Sequence, residues 1–192
     1  MKRMRFLLPA GMFLLLMALN GCITLFPKKA APRVYVHDAF PETKIRDIGV
    51  LPFVNHSNSK KDISNAVTSQ FVTELNKKGW YVLHPLTEED LLSPEKVEHI
   101  DGLIRGDIQE YKDMDPLRFG IQLTLTDLET QETLWSVQKV YDAAQQDVVE
   151  SVKAYYDSHV KDQHPVMGYR IYLLAMNRFL EFVFSDITDT LK

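Results

Sequence analysis

The stretch from Gly102 to Tyr141 constrains the fold more than any other part of the chain. Phe119, Ile121, Leu123 and Leu125 alternate with Gly120, Gln122, Thr124 and Thr126. A period of two sends successive side chains to opposite faces, so this is a strand with one buried face and one wetter face. Asp127 to Thr133 turns the chain, and Leu134 to Tyr141 returns with Trp135, Val137 and Tyr141 on one face. Upstream, Gly102 to Tyr111 reads as a third strand, and its internal glycine marks a close backbone approach. The three form an antiparallel meander.

Strands and helices alternate before it. Ile48-Gly49-Val50-Leu51-Pro52-Phe53 is a short continuous apolar run, as expected of a strand buried on both faces, with Pro52 at its end. After a polar loop, Asp62 can cap a helix whose apolar stripe is Ile63, Ala66, Val67, Phe71 and Leu75. Lys77, Lys78 and Gly79 suit its C-terminal end. Trp80 to Leu83 reads as a strand, Thr87 to Asp90 as the start of a short helix, and Pro94 to His99 as another helical turn. After the meander come a helix from Gln146 to Asp157 and a second from Gly168 to Leu191. The fold class is therefore α/β. A three-layer domain is expected, with a mixed sheet of about five strands, flanking helices and a long C-terminal helix.

The amino-terminal segment is an address. Lys2, Arg3 and Arg5 precede an apolar run from Phe6 to Leu19, the right length for a signal peptide and short for a membrane span. It ends Leu19-Asn20-Gly21-Cys22, which resembles a bacterial lipobox, with Leu19, Asn20 and Gly21 as the signal-peptidase recognition residues and Cys22 as the lipidated residue. The chain's only Cys stands where that motif needs it, so intrachain disulfides are excluded. Cleavage removes three of the 22 basic groups and none of the 26 acidic ones, which leaves 19 against 26, a net −7. An acidic domain of this kind is a poor candidate for nucleic acid. Ile23, rather than Asp, follows the Cys. In Gram-negative lipoproteins this resemblance implies outer-membrane sorting, with the domain facing the periplasm. The expected organisation is a signal peptide over 1–21, a lipidated tether over 22–44 and a periplasmic domain over 45–192. Residues 146–192 form the C-terminal helical pair, and Val34-Tyr35-Val36 reads as a short edge strand or an arm laid on the domain.

Several short motifs share a pattern. Ile48–Phe53 runs into Asn55-His56-Ser57, a helix ends Lys-Lys-Gly before Trp80-Tyr81-Val82-Leu83, and Asp101–Tyr111 precedes Leu123-Thr124-Leu125-Thr126-Asp127. The turn then leads into Thr133-Leu134-Trp135-Ser136. Over residues 45–142 this resembles the CsgG-like superfamily of bacterial outer-membrane lipoproteins, which includes the activators of penicillin-binding proteins and the amino-terminal domain of the Tol propeller protein. The resemblance implies fold more than function. Its pore-forming members carry extra membrane-length strands, and no spare pair of alternating segments is visible here.

No chemistry stands out. The six His form no His-Glu-x-x-His, and no nucleophile elbow, phosphate loop or dinucleotide motif is present, so no catalytic residue, metal or cofactor is expected. Two places remain as candidates. The loop holding Asn55, His56, Ser57, Lys60 and Lys61 leaves the C-terminal end of a central strand and precedes a helix, where open α/β sheets place ligands. The last helix is apolar around most of its girth, so it fills a groove in the domain, docks a partner or a second copy through Phe179, Phe182 and Phe184, or lies on a membrane surface, a reading its acidic face weakens. The leading expectation is a non-enzymatic binding or scaffolding module in envelope assembly, secretion or cell-wall synthesis. It is held to the membrane by lipid on Cys22 and partnered by an envelope protein or by its own copies. The alternatives are a small-ligand binder or enzyme using the 55–61 loop, and a subunit of a ring-forming export complex.

Overall fold

The computed structural model describes residues 32–38, 40, 45–59, 62–164 and 166–191. The signal peptide, the lipobox residues Leu19, Asn20, Gly21 and Cys22, and the loop residues Lys60 and Lys61 lie outside them.

The strands are β1 (Arg33–Val36), β2 (Asp47–Val50), β3 (Val54–Asn55), β4 (Val82–Pro85), β5 (Gly102–Lys112), β6 (Arg118–Asp127) and β7 (Thr133–Asp142). The helices are α1 (Ser64–Lys78), α2 (Pro94–Val97), α3 (Gln146–His159), α4 (Ile171–Leu174) and α5 (Met176–Thr188). The sheet order is β1-β7-β6-β5-β2-β4, with β3 pairing beside β5. β5, β6 and β7 are the expected antiparallel meander, and β2 runs parallel to both β5 and β4.

Among the described residues the sheet has seven strands rather than about five. One addition is the two-residue β3, too short to leave a period in the sequence. The other is β1, which pairs antiparallel with β7 inside the segment read as tether. Phe40, beyond it, is buried in the main core, so the folded domain starts before residue 45. The strand expected at Trp80–Leu83 begins at Val82, after Gly79 has closed α1 in the left-handed region (φ 67°).

The main core lies on one face of the sheet. Ile48, Val50, Ile104, Ile108, Phe119, Ile121, Leu123, Leu125, Trp135 and Val137 point into it, and α1, α3, α4 and α5 cover them. A smaller cluster of Leu51, Leu86, Ile100 and Leu103 packs under α2 on the opposite face. The rest of that face is polar and partly wet, and Gln109 bridges Gln122 on β6 and Gln138 on β7 by bonds of 3.2 and 3.3 Å. Gly106 makes a close approach: a Cβ there would lie 2.5 Å from Phe53 Cδ1 and 2.6 Å from Leu123 Cδ2.

The long C-terminal helix is broken. Ala175 is extended (φ −119°, ψ 117°), separating the single turn of α4 from α5. The break lets α5 drop into the centre of the helical layer. There Phe179, Leu180, Phe182, Val183, Phe184 and Ile187 are all buried. Phe184 meets Phe71 and Phe119 edge-on, with ring centroids 5.5 and 5.8 Å apart. Phe179, Phe182 and Phe184 are therefore core residues. The helix is apolar around its girth because it fills a groove, and those three rings present no docking surface.

Candidate functional site

The loop after β2 is built by local bonds. Asn55 Oδ1 accepts from the Ser57 amide (3.0 Å) and the Ser57 hydroxyl (2.6 Å), a turn that consumes both side chains. His56 donates its amide to Ile108 O, and its Nε2 lies 3.0 Å from Asp107 Oδ1 on β5. Asn55, His56 and Ser57 thus stand together, but each holds the loop to itself or to β5.

A better-formed recess lies between α1, α3 and α5. It is a cleft of about 410 Å³ lined by Glu74, Lys77, Tyr155, His164, Arg178 and Ser185 among others. Each wall has a reason in the sequence. Glu74 follows Phe71 on the α1 stripe and is nearly fully buried. Its Oε1 accepts from Lys77 Nζ (2.7 Å) and Gln70 Nε2 (3.3 Å). Arg178 Nη1 spans both oxygens of Glu181, at 2.8 and 3.0 Å, and the Tyr172 hydroxyl donates to the same carboxylate (3.2 Å). An aromatic wall faces them. Tyr155 stacks on His159 with centroids 5.0 Å apart and meets Tyr172 edge-on at 5.6 Å. Burial, then the charge of Glu74, pushes the Tyr155 hydroxyl up, and burial with Glu181 raises Tyr172 to about 12, so both remain protonated donors at neutral pH. Sequence reading missed this cleft because its residues span positions 74 to 185 and share no local pattern. The only sequence signal was a Glu on an apolar helix face.

A second recess holds His84 and His99. His84 Nε2 lies 2.8 Å from Asp47 Oδ1, and the two imidazoles meet edge-on at 4.9 Å. No group of three or more His, Cys, Asp or Glu among the described residues is arranged to hold a metal ion.

The edge of β1 away from β7, which no other described strand pairs, is the third feature. His37 donates its amide to Leu134 O (2.8 Å), and Val36 lies opposite Trp135. Alternation in an antiparallel ladder then turns the backbone groups of Tyr35 toward β7 and those of Val34 and Val36 outward. Val34, Tyr35 and Val36 are also 46%, 48% and 37% exposed, an apolar edge facing solvent.

No family model matches the chain, and no curated protein matches it. Among solved structures, the chain is similar to the PelC dodecamer from Paraburkholderia phytofirmans, at 13% identity and a TM-score of 0.46, over 58% of this chain and 80% of that one. It is similar to lipoprotein GNA1162 from Neisseria meningitidis, at 16% identity and a TM-score of 0.42, over 59% of this chain and 98% of that one. It is also similar to the LpoB C-terminal domain from Salmonella enterica, at 13% identity and a TM-score of 0.40, over 50% and 82% respectively.

Proposed function

We propose that this chain is a bacterial lipoprotein of the CsgG-like superfamily, anchored by Cys22 in the outer membrane and facing the periplasm. In this reading it is a non-enzymatic scaffold that joins an envelope protein through the edge of β1. The carrying observation is that edge. Its outward amides and carbonyls at Val34 and Val36 and its exposed apolar side chains form a template for an added strand. The sequence supports the setting: an export segment, a lone Cys in a lipobox context, and a tether that delivers β1 first.

A photo-crosslinking residue placed at Tyr35 in cells tests the reading. It should capture one defined protein, and Val34→Pro should abolish capture. That substitution removes an outward N–H and leaves the ladder to β7 intact. A Tyr35 probe that captures no protein, or capture that Val34→Pro leaves unchanged, would sink the proposal.

A further inference from the structure

The cleft between α1, α3 and α5 has hydrogen-bonding capacity that the described residues do not use. Both bonds to the Glu74 carboxylate end on Oε1, so Oε2 is without a partner among the described residues although Glu74 is only 3% exposed. Ser185, 6% exposed and on the same cleft, makes no hydrogen bond through its hydroxyl to any described residue, and neither does Tyr155. No sealed side-chain nitrogen or oxygen among the described residues lacks a partner, so these three atoms are not sealed in the core, and their residues line the cleft. The inner part of the recess therefore offers a carboxylate oxygen that accepts and two protonated hydroxyls that can each accept as well as donate, beside the faces and edges of Tyr155, Tyr172 and His159.

The rim has the opposite character. Lys77 spends one N–H on Glu74 and is otherwise exposed, and Arg178 uses only Nη1, on Glu181. Both cations retain donors for an incoming acceptor, and His164 and Gln163 stand beside them. A simple anion entering this cleft would meet the charges of Glu74 and Glu181. A simple cation would have to pass Lys77 and Arg178. A molecule carrying both charges meets its complement at each end. An ammonium has three donors for the three inner acceptors, with aromatic faces beside it. A carboxylate suits the spare donors of Arg178 and Lys77. The cleft volume of about 410 Å³ falls within the range of small-molecule sites, about 300–1,000 Å³.

We propose that this cleft is a binding site for a small zwitterion, a molecule with a primary ammonium and a carboxylate, of the class of free amino acids and short peptides. Glu74, Ser185 and Tyr155 take the ammonium, and Arg178 and Lys77 take the carboxylate. The site is separate from the β1 edge and does not depend on the scaffold reading.

The test is calorimetric titration of the detergent-solubilised full chain with glycylglycine, acetate, methylammonium and glucose. Glycylglycine should bind saturably at one site, with acetate and methylammonium each at least about ten-fold weaker and glucose silent. Arg178→Gln, on the rim, should weaken glycylglycine about ten-fold with the thermal midpoint little changed, and Glu74→Gln should weaken it at least as much. Absence of glycylglycine binding overturns the proposal. So does acetate binding as tightly as glycylglycine, which would make this an anion site, or saturable binding of glucose. Full affinity in a folded Arg178→Gln variant removes the assigned carboxylate partner and overturns it as well.

Discussion

Replacing Gly106 with Ala probes the close contact at the centre of the sheet. The added Cβ would sit 2.5 Å from Phe53 Cδ1, 2.6 Å from Leu123 Cδ2 and 2.8 Å from Phe53 Cγ. Carbon atoms rest at about 3.5–4.0 Å, so the new methyl overlaps two neighbours by about 1 Å each. Neither neighbour gives way freely. Leu123 is fully buried and pairs with Gly106 across β5 and β6, and the Phe53 ring packs 5.3 Å from that of Phe71. Overpacking of this kind costs about 1–3 kcal/mol, and the double clash places Gly106→Ala toward the upper end, about 2–3 kcal/mol. For a domain of this size that lowers the thermal midpoint by about 4–12 °C. Urea denaturation should show the same loss with an unchanged slope, since the exposed surface on unfolding is the same. Phe53→Leu shortens the obstructing ring, so the double variant should be more stable than the two single costs predict, by about 1 kcal/mol. If Gly106→Ala melts within about 1 °C of the parent, or if the two costs simply add, the explanation of this glycine by close packing is wrong.

Two further outcomes follow from the core and the cleft. Phe184→Ala removes a fully buried ring wedged between Phe71 and Phe119 and should cost about 3–5 kcal/mol in chemical denaturation, and a loss under 1 kcal/mol would contradict its core position. Tyr172, raised to about 12 by burial and then by Glu181, should show its ring NMR titration near that pH, and Glu181→Gln should move the midpoint down. Because the folded value lies above the unfolded one of about 10, this stabilisation is complete below about pH 10 and is lost as pH rises toward about 12, so alkaline unfolding should begin in that window.

The meander was readable because a period of two survives any packing detail, and Gly79 was readable because few other residues accept φ 67° at a helix end. Gly106 announced a close contact but not that Phe53 would make it. The break at Ala175 left no trace, since alanine is the best helix former. The apolar girth of α5 was visible, yet a ring that fills a core and a ring that docks a partner look the same in sequence. β1 was faint because four residues carry too little periodicity to separate a strand from an arm. The cleft was invisible for a different reason. Glu74, Tyr155, Arg178 and Ser185 become neighbours only when three helices meet.

The position of α5 has a consequence for the order in which the domain can assemble. The seven described strands are complete by Asp142, but the residues that seal the helical layer follow them in the chain. Until Phe179 to Leu191 arrive, the Trp135 indole lacks the Thr190 hydroxyl to which it donates at 3.0 Å, and Phe71 and Phe119 lack Phe184 between them. A chain cut short before Met176 keeps every described strand but loses the residues that cover Phe71, Phe119 and Trp135, so it is expected to aggregate rather than fold. A refolding mixture of a chain ending at residue 170 with a peptide of residues 171–192 should recover native structure only when both are present.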